Sequence, residues 1–497
     1  MKWNSLKFIK KIFLCLLVVL SLLAVVRLFF FEYRLLNYPY QWELREALQF
    51  HHGILLSEGK SIYTINPDPP VVLECYGPVN PALLAGIVKT FGNNLSGPRF
   101  LSFLSFISLL TLIAIAVYRL THQWLYVVIA LGINTFILSW IQWLLLCRPD
   151  SLGGMLLFAS LFVHWLYPYK RMAILASLLL ILLAFFTKVY FVLGLLFVPL
   201  NYWIFHRDRR MAVLYFLAGT TLLSVSVAMI NMHTEGLYHL FTFILLSKWV
   251  TYSLEHLLGA LKGLLVYFLP FFILIIFSIM KKDFRYREIN IFWIAIIAGI
   301  PIFMFLLLNT GAETYYWYAV IPALTVAGFD VLNRELSKEK SPVGVAMLLL
   351  LLCLMTNKMI ISETIKDGMY FPSDQLASQW KPIVKIFERV KGPILTDDAT
   401  AVLAIQTGKR VHREGLGYLN IKNGITETLH YKFKDIDEEI AKRNYALIIN
   451  PENESLVEKY YCLDQVYQVP VQLGKDYSLK MFVPCQSGER IHFNPNE

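Results

Sequence analysis

The chain begins with one long apolar run, from about Cys15 to Phe31, which then breaks off. Mixed, carboxylate-bearing sequence, Glu32 to Pro98, intervenes before closely spaced apolar runs resume at Phe100 and continue to about Ile361. A helix of about twenty apolar residues crosses a hydrocarbon core of ~30 Å. Windows near that length fit at 11–31, 99–119, 123–146, 152–167, 172–187, 190–205, 211–231, 258–280, 289–309, 316–332 and 342–361. The pattern predicts an all-α polytopic membrane bundle of about eleven transmembrane helices, with a long first outer loop at 32–98. Beyond Ile361 short apolar runs alternate with polar helical stretches. GPILT (392–396), YALIIN (445–450), YQVPVQL and YSLKMFV read as strands, and DIDEEIAKR (435–443) and ENESLVEKYY (452–461) as helices. The chain therefore divides into a membrane domain, 1–361, and a small C-terminal α/β domain, 362–497.

Within the first loop, Trp42 to Leu56 has helical character, which puts Glu43 and Glu46 on one helix face three positions apart. Gly59, Asn66, Pro67, Pro69 and Pro70 mark turns. Asn80 to Phe91 reads as a helix at the membrane surface, started by Asn80 with Pro81 at its first position. His51 and His52 are adjacent, so they point in different directions and read as a surface pair rather than a metal site.

Composition agrees with the membrane reading: 57% of residues are hydrophobic, 16% are charged and the mean hydropathy is +0.55. Soluble domains carry roughly 25% charged residues. A net charge of +10 could suggest nucleic acid, but its placement argues against it. With the N-terminus cytoplasmic, the inner segments hold seventeen Lys and Arg, whereas the short outer segments hold Arg148, Lys188, Lys248 and Lys262. That asymmetry is the positive-inside signal. Eleven spans then place the C-terminal domain outside. The N-terminal run is too long, and lacks the small-residue cleavage site, to be a cleaved signal. Cys462 and Cys485 both fall in the outer domain, where a disulfide is expected in an oxidising compartment. Cys75 and Cys147 sit in distant segments and are not expected to pair. No Cys/His spacing suggests zinc.

One order of features carries a resemblance. The first span is followed by a carboxylate (Glu43), by Gly59 to Tyr63 (GKSIY), by Pro69-Pro70, by Tyr76-Gly77-Pro78, by a surface helix, by Gly97 to Arg99 and by the second span. Arg148 to Asp150 (RPD) and Thr187-Lys188 come later. In layout, over about residues 10–330, this resembles the GT-C glycosyltransferases, multi-pass enzymes that take sugars from polyprenyl-phosphate carriers. The bacterial mannosyl- and aminoarabinose-transferase branch is the most similar. Many members have an Asp-Glu or Asp-x-Glu pair at the first-loop site, whereas this chain has Trp42-Glu43 with Glu46 a turn later. Both glutamates therefore stand as candidates for the base.

The resemblance implies transfer of a sugar to a glycan, lipid or protein acceptor, on the outer face of a bacterial inner membrane. Such a transfer needs a base to take the acceptor hydroxyl's proton, and cations or oriented donors for the departing phosphate. Glu43 and Glu46 are the candidates for the first role. Arg148, Lys188 and Lys248, the outer cations nearest the spans, are the candidates for the second. Asp150, His233, Tyr63 and Tyr76 are candidate acceptor or carrier contacts. Glu313 to Tyr318 (ETYYWY) reads as an aromatic belt or a sugar-stacking platform. A divalent metal is compatible with the chemistry, but the sequence offers no ligand set. Two other classes compete: a lipid-linked sugar flippase, with paired broken helices near mid-membrane, and a noncatalytic assembly factor indifferent to Glu43.

Overall fold

The computed structural model describes residues 2–64, 75–245, 251–280, 290–309, 312, 314–338, 342–359, 371–409, 411–413, 436–451, 453–471 and 475–485. All eleven apolar windows fall on helices. Helix α1 (Lys2–Asn37) outruns its window at both ends. Between Ile12 and Val26 it is almost wholly apolar, and it leaves Leu16, Val19, Leu22, Leu23 and Val26 exposed, as a lipid-facing helix does. Two loop helices follow, α2 (Glu46–Ser57) and α3 (Val79–Phe91). After them come α4 (Ser96–Thr121), α5 (Trp124–Thr135), α6 (Leu138–Leu145), α7 (Asp150–Leu166) and α8 (Arg171–Phe185). A 3₁₀ turn at Val189–Leu193 leads into α9 (Gly194–Ile204), followed by α10 (Arg209–His233). The remaining windows are the helices Leu254–Met280, Asn290–Leu306, Ile321–Ser337 and Pro342–Thr356. Among the described residues, five helices are long and apolar enough to cross a membrane on their own. The other windows are filled by shorter helices or helix pairs.

One window departs from expectation. The segment 123–146 is not a single span but the pair α5 and α6, bent by 81°. A break inside a bilayer is tolerated where its freed backbone groups find partners. Here Arg27 Nη2 donates to the Phe136 carbonyl at 2.8 Å, and the Tyr318 hydroxyl donates to the Asn134 carbonyl at 3.0 Å. The redirected α6 delivers Cys147 and Arg148 to the end of the bundle occupied by the first loop.

In that loop α2 and α3 pack side by side, joined by Asn80 Nδ2 donating to Gln49 Oε1 at 2.7 Å. Helix α3 begins close to its expected start. Helix α2 begins four residues later than expected, so Glu43 and Glu46 do not share a helix face. The reason is local: Glu43 Oε2 accepts from the Arg45 N–H at 2.9 Å, and Glu46 Oε2 accepts from the Trp42 N–H at 2.8 Å. These carboxylates satisfy backbone donors and hold residues 42–45 in a turn ahead of the helix. His52, expected at the surface, is fully buried, whereas His51 is half-buried.

The C-terminal region is α/β, as expected. Its strands are β1 (Ile394–Thr396), β2 (Val411–Arg413), β3 (Leu447–Ile449), β4 (Tyr461–Val471) and β5 (Lys475–Pro484). They form one sheet in the order β2-β1-β3-β5-β4, parallel among β1, β2 and β3 and antiparallel in the β4–β5 hairpin. Strand β2 is additional to the strands read from the sequence. Cys462 and Cys485 form the expected disulfide, across the open end of the hairpin. Cys75 and Cys147 do not form a disulfide, as expected.

Candidate functional site

The site is built from five pieces of chain that are far apart in sequence: the turn before α2, the Tyr76-Gly77-Pro78 segment, the Arg148–Asp150 corner, the Thr187–Tyr190 connection and the turn at Thr314–Ala319. Two of them are brought together by a close backbone approach. The Val79 N–H donates to the Phe186 carbonyl at 3.1 Å. A Cβ added to Gly77 would lie 1.9 Å from that carbonyl oxygen, so only glycine fits there. The Tyr76-Gly77-Pro78 motif is thereby clamped onto the end of α8, immediately before Thr187-Lys188. Tyr63 supports the clamp: its hydroxyl donates to the Tyr76 carbonyl at 2.7 Å, and its ring packs edge-on against Tyr238.

The clamp brings charges of alternating sign into a row. Glu43 Oε2 lies 3.5 Å from Arg148 Nη1, and Arg148 Nε lies 3.5 Å from Asp150 Oδ2. Asp150 Oδ1 lies 2.7 Å from Lys188 Nζ and accepts from the Tyr190 hydroxyl at 3.0 Å. All four charged residues are buried. Alternation is what burial demands, because an unpaired charge in this setting costs several kcal/mol. Aromatic rings close the row. Lys188 Nζ lies 4.4 Å from the Tyr316 ring centre and 5.0 Å from that of Tyr76. The Arg148 guanidinium lies over the stacked rings of Trp143 and Tyr315, and donates to the Tyr315 hydroxyl at 2.6 Å.

The two first-loop glutamates differ sharply. Glu46 is paired through both oxygens with the fully buried Arg99, at 2.9 and 2.8 Å, and also accepts from the Trp42 and Cys147 N–H groups. Arg99 spends its remaining donors on the carbonyls of Leu35, Tyr38 and Tyr40. This fork-on-fork pair ties the end of α1, the loop turn and the start of α4 into one unit. Glu43, in contrast, uses only Oε2; among the described residues Oε1 accepts no hydrogen bond. Burial raises the Glu43 carboxyl above its ordinary value, against the opposing pull of Arg148 and Arg45.

Of the residues singled out in the sequence, Glu43, Arg148, Asp150, Lys188 and Tyr76 come together, with Tyr63 directly behind Tyr76. Glu46 adjoins them through Cys147 but faces Arg99. His233 is exposed on the last turn of α10. Lys248 and Glu313 lie outside the described residues. Among the described residues no group of three or more His, Cys, Asp or Glu could hold a metal ion. Sequence reading missed Tyr190, Trp143 and Gln41. Tyr190 stands two residues after Lys188, the one local sign that it could have shared that lysine's surroundings. Gln41 sits beside the Glu43 turn and bonds the Asp398 carbonyl of the C-terminal region at 2.8 Å.

No family model matches the sequence, and neither does any curated protein. The architecture does match solved structures. ArnT from Cupriavidus metallidurans in the apo state superposes with a TM-score of 0.58 at 13% identity, over 93% of this chain and 97% of that one. ArnT from the same organism bound to undecaprenyl phosphate gives 0.57 at 13% identity, over 95% and 98%. The Archaeoglobus fulgidus oligosaccharyltransferase, tethered to an acceptor peptide containing an NVT sequon, gives 0.50 at 13% identity, over 98% and 75%. At this identity the likeness establishes the fold alone, one shared with ArnT and with the archaeal oligosaccharyltransferase.

Proposed function

We propose that this multi-pass membrane protein is a glycosyltransferase that moves a sugar from a polyprenyl-phosphate carrier to a glycan, lipid or protein acceptor. The reaction is a single displacement on the outer face of a bacterial inner membrane. One observation carries the reading: Glu43 is buried, has an uncommitted carboxylate oxygen, and stands at the head of a row leading to two buried cations. In the step proposed, Glu43 removes the proton from the acceptor hydroxyl as its oxygen bonds the anomeric carbon. The bond from that carbon to the phosphate oxygen breaks, and the electron pair leaves with the carrier phosphate. Arg148 and Lys188 stabilise that charge. The contacts from Arg148 to Glu43 and Asp150 are both at 3.5 Å, long for such bonds, so Nη1 and Nε are only weakly engaged by those carboxylates while Nη2 stays bonded to Tyr315. Asp150 and Tyr190 hold Lys188 in place. Glu46 is assigned a supporting role, because both its oxygens are committed. The ArnT structure with bound undecaprenyl phosphate supports a polyprenyl carrier, and the peptide-tethered oligosaccharyltransferase supports an acceptor site in the same fold. Division of the chain near residue 361 into a membrane domain and an outer domain belongs to the same reading.

The direct test is sugar transfer in reconstituted vesicles, with a panel of radiolabelled polyprenyl-phosphate sugars and membrane extract as acceptor. Wild type should transfer label from at least one donor. Glu43→Gln should lose about 10²–10⁴-fold in rate, the range for a general base, while still binding carrier. Full activity in Glu43→Gln would remove the base assignment. Carrier flipping without transfer would favour the flippase.

A further inference from the structure

The turn that presents Glu43 has no regular secondary structure of its own, yet it is held from two sides. From below, Glu46 and Arg99 anchor it to α1 and α4. From above, Gln41 bonds it to the C-terminal region. The Gln41 side chain is 1% exposed and fully used. Its Oε1 accepts from the Val402 N–H at 3.1 Å, and its Nε2 donates to the Asp398 carbonyl at 2.8 Å. The same Nε2 lies 3.3 Å from the carbonyls of both Glu43 and Leu44. One amide thus joins the carboxyl end of β1 to the backbone of the proposed base. Neighbouring contacts run the same way. Gln406 Nε2 donates to the Pro39 carbonyl at 2.9 Å, Trp380 Nε1 donates to the Tyr38 hydroxyl at 3.2 Å, and the rings of Tyr40 and Trp380 stack. The far anchor is itself rigid. Asp397 accepts from the Ala399 and Thr400 N–H groups, the Thr400 hydroxyl, Asn450 Nδ2 and the Tyr477 hydroxyl, which fixes the loop after β1 against β3 and β5.

We infer that the C-terminal α/β region holds the Glu43 turn in its working geometry, with Gln41 as the positioning residue. This rests on the reading of Glu43 as the base. Gln41 does not touch the reacting atoms; it restrains the backbone from which Glu43 projects. Loss of such a restraint lowers the rate of the chemical step more than it weakens ground-state binding. It also frees the local backbone without loosening the bundle.

The experiment uses full-length protein in detergent or nanodiscs and reads two quantities. The first is hydrogen–deuterium exchange, which does not depend on activity. Gln41→Met keeps the side chain's volume but removes its four polar contacts. It should raise exchange several-fold over residues 38–46 and 398–402, leaving α4 and α7 unchanged. The second is steady-state transfer: kcat should fall about tenfold or more, with donor KM within about threefold of wild type. Gln406→Ala, at a partly exposed rim contact, should show the same pattern weakly, and serves if the Gln41 variant folds poorly. Unchanged exchange over 38–46, or an unchanged kcat in active protein, overturns the inference. If wild type transfers no sugar, the proposed function fails, and the exchange pattern still decides whether the C-terminal region holds the turn.

Discussion

Glu43 and Glu46 are chemically identical and three positions apart, and their partners set them apart. As the proposed base Glu43 acts deprotonated, and burial raises its carboxyl. Transfer should therefore fall as pH drops through that raised value, on an acid limb above the ~4.3 of a solvated glutamate. A pH profile of kcat/KM should show this limb, and Glu43→Gln should lose it along with most of the rate. Glu46 predicts a stability phenotype instead. Glu46→Ala leaves the Arg99 guanidinium buried without its carboxylate, a change that costs about 3–5 kcal/mol. Thermal unfolding in detergent should show a large drop for this variant. The double variant Glu46→Gln/Arg99→Met should recover part of it, because no uncompensated charge remains. A Glu46 variant of wild-type stability with abolished transfer would instead move the base to Glu46. The sequence placed both carboxylates in the first loop. It could not separate them, because Arg99 and Cys147 lie 53 and 101 positions away from Glu46.

Among the elements, those that obey a single period were readable and those shaped by distant partners were not. All eleven apolar windows became helices, because the need to bury or lipid-solvate an apolar surface is written locally. The break between α5 and α6 was invisible. It contains neither glycine nor proline, and its freed carbonyls are satisfied by Arg27 and by Tyr318, 109 and 184 positions away. The Y-G-P motif was readable as a pattern, but its purpose, a close approach to Phe186, was not. That purpose yields a paired prediction. In Gly77→Ala the new Cβ meets backbone, which cannot move aside as a flexible side chain would. The variant should lose about 1–3 kcal/mol, with transfer lost as Lys188 shifts. Gly86→Ala, in the interior of α3 with open space at its Cβ, should be neutral or stabilising by up to about 1 kcal/mol. Thermal unfolding of the two variants side by side separates a steric clamp from a general intolerance of this loop.

For the whole molecule, the decisive quantity is which side of the membrane the site faces, and the disulfide reports it. Cys462 and Cys485 close a loop of 23 positions across the β4–β5 hairpin. Such a cross-link contributes about 2–4 kcal/mol, and it persists only in an oxidising compartment. The loop and helix that follow β1 of the same sheet are bonded to Pro39 and Gln41, so the disulfide and the Glu43 turn lie on the same side. In the proposed orientation, read from the uneven placement of Lys and Arg along the sequence, this side is the outer one. In a background lacking the other four cysteines, right-side-out vesicles should resist a membrane-impermeant maleimide. They should then label fully once an impermeant reductant has opened the bond. Labelling that requires permeabilisation would put the C-terminal region inside. The Glu43 turn would go with it, and an outward-facing transfer reaction could not stand. A bond that forms and opens from outside places base, cations and acceptor entry where an outer acceptor can reach them. Replacing both cysteines by serine should then make the C-terminal region protease-sensitive from outside while the bundle remains intact.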